Sequence, residues 1–330
     1  MMWRTALMGW LVLLVVASGA VAQRVAPEQR VRAAFQVESR IALSGVMRTT
    51  TYLQGNALTA EVTVYRREGN ARYEYRSPQQ VLIDRGDMLI RLDPNRRIAT
   101  VETIHRTPVN SVDLLLKNYE AVLVRGETLL GRSCDVVKLQ PKRGTGPSRL
   151  LWIDRATGVI LRSEQYNSQG KLVSRSEFLS VDWKARPADS LFQIPAGWRV
   201  TAPAIQAEKH LDKEQVSRMV GIPVREPTYV PPGFVLDGYH VVQSPSAHLV
   251  AHLRYVDGLN SLSVFQHPCA PGRRRGFGFQ WGRRLGRRDG CELFSSQEGN
   301  ALVKEEGGIR LVVVGDLPQE ELQKVMDSIR

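Results

Sequence analysis

The sequence predicts a mainly β (α+β) protein in two units: an N-terminal antiparallel half-barrel sheet wrapped on a helix, and a smaller C-terminal antiparallel sheet with one terminal helix. Three observations predict it. Short runs rich in Val, Ile, Thr and Tyr recur from residue 41 onward, separated by turn signals such as Gly69-Asn70 and Asp93-Pro94-Asn95. Helical periodicity is confined to a few short segments. A length of 330 residues is about twice that of a typical single domain, and a Pro-rich stretch falls two thirds of the way along.

The first segment, 1–22, reads as a signal peptide: Arg4 gives a positive start, Ala6 to Ala17 is mostly apolar, and Ala20-Val21-Ala22 is a small-x-small site for cleavage after Ala22. A retained membrane anchor is the competing reading of the same segment. Residues 23–200 form the first domain. Pro27 to Val37 carries Val31, Ala34 and Phe35 on one helical face, and six short strands follow as a meander. A second helix is expected across Pro108 to Glu120, with Val112, Leu115, Leu116 and Tyr119 at helical spacing. With about eleven strands around it, this helix is expected to leave an apolar groove lined by those four residues. Paired hairpins close the domain through the turns Asp154-Arg155-Ala156-Thr157-Gly158 and Asn167-Ser168-Gln169-Gly170.

Residues 201–230, rich in proline with a charged run from Glu208 to Gln215, read as a linker holding one short helix at most. Residues 231–330 form the second domain, built of two meanders. Its last helix is expected to be capped by Asp316, with Pro318 in the first turn and Leu322, Val325, Met326 and Ile329 on one face.

Charge is the outlier in an otherwise ordinary composition. Lys and Arg number 45 against 33 Asp and Glu, a net +12 that favours anionic partners. Export removes nucleic acid from that group and leaves acidic protein segments and anionic lipid. No nucleotide loop, zinc-protease or serine-hydrolase motif is present, so no catalytic residue is proposed, and neither is a cofactor. His248 and His252 fall on one predicted strand, too far apart to share a metal. Cys134 is expected in the core as a small hydrophobe.

Cys269 and Cys291 stand 22 apart at what read as the ends of consecutive strands, and in an oxidising compartment they are expected to close a disulfide hairpin. Between them lie Arg273, Arg274, Arg275, Arg283, Arg284, Arg287 and Arg288, opposed by Asp289 alone, with Phe277, Phe279 and Trp281 at a period of two. Guanidinium forks suit phosphates and carboxylates, so this segment is expected to bind an anionic partner; a solvated basic hairpin is the plainer alternative.

Several of these segments resemble one family. Leu151-Trp152-Ile153-Asp154-Arg155-Ala156-Thr157-Gly158, Pro231-Pro232-Gly233-Phe234, and Tyr255-Val256-Asp257-Gly258-Leu259-Asn260-Ser261-Leu262-Ser263-Val264-Phe265 are similar to segments of the MucB/RseB periplasmic regulators, in the right order. The first domain also resembles the LolA/LolB lipoprotein-carrier half-barrel. The resemblance implies a non-enzymatic periplasmic protein that binds the periplasmic domain of a membrane anti-sigma factor and senses a lipid or lipopolysaccharide signal. A second copy of the chain is a further candidate partner. The competing class is a LolA-like carrier of lipid or lipoprotein.

Overall fold

The computed structural model describes residues 25–38, 40–53, 56–77, 79–86, 88–103, 112–201, 211–243, 248–269, 283–288, 290–296 and 299–330. The signal segment lies outside the described residues. So do Arg273, Arg274, Arg275, Phe277, Phe279 and Trp281.

The first domain opens with α1 (Pro27–Val37), whose Pro27 sits where a missing N–H costs nothing. Six strands follow: β1 (Leu43–Leu53), β2 (Asn56–Arg67), β3 (Asn70–Tyr75), β4 (Gln80–Asp84), β5 (Met88–Asp93) and β6 (Ile98–Thr103). After α2 (Val112–Asn118) come β7 (Tyr119–Leu129), β8 (Arg132–Pro141), β9 (Ser148–Asp154), β10 (Ile160–Tyr166), β11 (Leu172–Asp182) and the short β12 (Arg199–Thr201). All twelve belong to one open sheet, in the order β12-β6-β5-β4-β3-β2-β1-β11-β10-β9-β8-β7. Every neighbour pair is antiparallel except β12 with β6, which the sequence reading missed because three residues carry no alternation.

Alternation along β8 and β9 explains why both faces of the sheet are covered there. Val137, Leu139, Leu151 and Ile153 pack with Val31 and Ala34 of α1 and Leu115 and Leu116 of α2. Their neighbours Cys134, Val136 and Trp152 point the other way, into a cluster with Leu43, Val62, Val64 and Phe178. The two helices therefore pack at the β7–β9 end of the sheet.

The second domain holds α3 (Lys213–Val220), β13 (Val235–Gln243), β14 (Leu249–Val256), β15 (Ser261–Pro268), β16 (Arg283–Arg288), β17 (Cys291–Ser296), β18 (Gly299–Glu306), β19 (Ile309–Gly315) and α4 (Gln319–Asp327). Its sheet runs β13-β14-β15-β19-β18-β17-β16, so the two expected meanders join through β15 and β19. Val216 and Val220 of α3 and Leu322, Val325 and Met326 of α4 enter one core with Leu253, Leu262, Leu311 and Val313.

Three expectations change. The stretch from residue 211 is part of the second domain: Leu211 bridges Tyr239, Asp212 caps α3 with a reciprocal capping box, and Leu211, Val216, Val220 and Val224 are core. Proline spacing hid this, because Pro223, Pro227, Pro231 and Pro232 punctuate a packed segment. The disulfide also fails. Cys269 follows β15 and Cys291 opens β17, with β19 and β18 between them. Three ladder spacings are about 14 Å, beyond the reach of a disulfide, and the two thiols are not joined. Finally, α4 begins after Pro318 with no side-chain cap, and Asp316 is used elsewhere.

Candidate functional site

Among the described residues the two domains meet through three turns, and each has a local reason for its shape. At the first, α2 ends at Asn118 and the chain turns directly into β7 at Tyr119. Asn118 donates from Nδ2 to the carbonyls of Gly233 and Asp257, at 2.9 and 2.8 Å. Tyr119 donates its hydroxyl to Asp257 Oδ2 at 2.8 Å. Burial pushes the Tyr119 phenol far above its ordinary value, and the neighbouring Asp257 carboxylate adds to that, so the proton stays on tyrosine.

The second turn is Asp257-Gly258-Leu259-Asn260, between β14 and β15. Asp257 Oδ1 accepts from the backbone N–H groups of Leu259 and Asn260, which shapes the turn from inside. Gly258 has φ +104, and a Cβ there would stand 2.5 Å from Leu115 Cα. Only glycine lets the two backbones come this close. Leu259 packs onto the α1–α2 cluster of the first domain.

The third contact pairs the β10–β11 turn with the end of β19. Asp316 accepts from the Ser168 hydroxyl at 2.6 Å and the Ser168 N–H at 2.9 Å, and its carbonyl accepts from Asn260 Nδ2. Burial raises the Asp316 carboxyl above its ordinary value, only partly offset by the two Ser168 donors. An Asp two residues before a proline-led helix looks locally like a cap, and no local signal reveals a partner 148 residues away.

Beside these contacts opens a cavity of about 380 Å³ with walls from both domains, within the ~300–1,000 Å³ range of small ligand sites. Thr51, Gln165, Asn167, Val173 and Ser174 line one side, and Leu259, Asn260, Ser261, Ser263, Val314 and Asp316 the other. Among the described lining residues, Asp316 is the one that carries charge. Gln165 is held at the cleft wall by Arg149, whose Nη2 donates to its Oε1 at 2.7 Å. Ser263 Oγ lies 2.9 Å from His252 Nε2, and the His252 ring stacks on Phe265 at 4.3 Å. Burial, with His240 and Arg254 nearby, lowers His252 to about 3, so the ring is neutral at pH 7.

The expected site residues are distributed differently. Leu115, Leu116 and Tyr119 are 3%, 4% and 2% exposed and Val112 packs against the same cluster. They are packed side chains at the domain joint, and Tyr119 belongs to a strand rather than the helix. Arg283, Arg284 and Arg287 are exposed on β16, with Arg288 at its end. No group of His, Cys, Asp and Glu that could hold a metal occurs among the described residues. Among those residues, too, no helix is long and apolar enough to cross a membrane.

Fold and cleft together define a class: a two-domain β-sheet protein with a polar cavity shared between its domains. Residues 47–196 match the MucB/RseB N-terminal domain model. The sigma factor AlgU regulatory protein MucB of Pseudomonas aeruginosa is 29% identical over 213 residues, 64% of this chain and 60% of that protein. The sigma-E factor regulatory protein RseB of Haemophilus influenzae is 24% identical over 196 residues, covering 57% and 58%. Residues 47–196 of this chain are therefore similar to the N-terminal domain of the MucB/RseB proteins. The matched part spans about three fifths of each of those curated relatives. Fold similarity extends further. The Pseudomonas aeruginosa MucA/MucB complex superposes with a TM-score of 0.60 at 21% identity, over 92% of this chain and 98% of that one. A structure of MucB in complex with MucA(peri) gives a TM-score of 0.60 at 20% identity, with the same coverage.

Proposed function

We propose that this chain is a non-enzymatic periplasmic regulator that binds the periplasmic segment of a membrane anti-sigma factor, seating part of it in the cleft between the domains. The observation that carries this reading is the two-walled cleft, in a fold shared over both domains with MucB, which has been solved in complex with MucA(peri). The cleft chemistry suits a polypeptide. Its lining offers amide and hydroxyl groups that pair with backbone N–H and C=O, with Leu259, Val173 and Val314 for apolar side chains. An acyl carrier needs a mostly apolar cavity, and the residues expected to line one are packed, so the regulator reading is preferred over the carrier.

The test is a titration of the exported chain with the purified periplasmic segment of the anti-sigma factor from the same genome. Saturable binding with one segment per chain is expected. Absence of binding, with lipid co-purifying instead, would favour the carrier.

A further inference from the structure

We propose that the outer edge of β16 docks an extended, acidic polypeptide segment of a partner protein, which joins the C-terminal sheet as an eighth strand. Among the described residues, β16 is the last strand of its sheet and pairs with β17 alone. An edge strand leaves one row of N–H and C=O groups without ladder partners. Arg283, Arg284, Leu285 and Arg287 are all exposed there, and Leu285 keeps 51% of its surface accessible. Arg284 is answered by Glu292 at 3.1 Å, whereas Arg283 and Arg287 form no ion pair among the described residues.

Arginines on an edge strand repel an identical edge, which protects the chain from pairing with its own copies. The same charges favour a strand that carries carboxylates at alternate positions. A lipid headgroup can meet the guanidinium groups but cannot complete a backbone ladder, so the edge geometry favours a polypeptide. The register slips between Arg284 and Gly286, where Leu285 supplies an apolar foothold between the charges. This surface is separate from the interdomain cleft. β16 lies three strands beyond β19, whose Val314 lines the cleft, a distance of about 14 Å.

The experiment uses a fluorescent ten-residue peptide of alternating Glu and Val, titrated into the exported chain at low and physiological salt. A second peptide of the same sequence carries N-methyl groups at alternate residues, which keeps the charge and blocks the ladder. Binding that weakens with salt is expected, with a loss of about tenfold for the N-methylated peptide and a similar loss for the R283S/R284S/R287S variant. Equal binding of the two peptides would overturn strand addition. Unchanged binding to the variant would overturn the role of the arginines. Failure to bind the peptide, while vesicles with one third anionic phospholipid are bound, would overturn the proposal in favour of a membrane surface.

Discussion

Gly258 and Tyr119 carry the closest contacts of the domain joint, and they can be probed separately. In Gly258→Ala the added methyl meets the Leu115 backbone, which cannot move without displacing α2. The positive φ adds strain of its own. A loss of about 1–3 kcal/mol is expected, read by calorimetry as a lower transition temperature or as two transitions where the domains uncouple. Tyr119→Phe keeps the packing and removes one donor to Asp257, with an expected loss of about 1 kcal/mol. An unchanged single transition in both variants would mean that these contacts do not couple the domains. Neither residue stood out in the sequence as a joint. Tyr119 reads as the last apolar position of a helix and Gly258 as one residue of a family-like segment, because contacts between distant turns leave no periodic trace.

At the scale of elements, the C-terminal domain starts earlier than its prolines suggest. The α3 capping box and the burial of Val216 and Val220 tie residues 211–224 to the sheet. A fragment beginning at residue 208 is therefore expected to unfold cooperatively, and one beginning at residue 231, lacking α3, to lose that cooperativity. Equal cooperativity in both would return α3 to the linker. Most elements were legible where local pattern decides them. α1 spans Pro27–Val37 as read, and the apolar face of α4 carries Leu322, Val325 and Met326. Elements decided by tertiary partners were not. β16 reads as a basic loop because Arg-Arg-Leu-Gly-Arg-Arg has no strand alternation, and its strand state comes from pairing with β17. Cys269 and Cys291 look like neighbours only when the order of strands in the sheet is taken to follow the chain. The insertion of β19 and β18 between them makes that assumption false.

At the scale of the whole molecule, two domains with independent cores form one cleft, and neither domain supplies both of its walls. The family resemblance is readable in segments such as Asp154 to Gly158 and Tyr255 to Phe265, and both hold structural turns. Asp154 accepts from Arg132, Thr157 N–H and Thr157 Oγ1, and Asp257 from its own turn and Tyr119. The first fixes a hairpin and the second joins the domains. The central claim, that the partner segment sits between the domains, is tested most directly by filling the cleft from each side. Calorimetric titration of the anti-sigma segment into wild type, Ser174→Trp and Ser261→Trp would measure it, with thermal unfolding as the control for folding. Both variants are expected to keep the wild-type transition and to lose at least about tenfold in affinity. Wild-type affinity in both well-folded variants would contradict the account and place the partner outside the cleft.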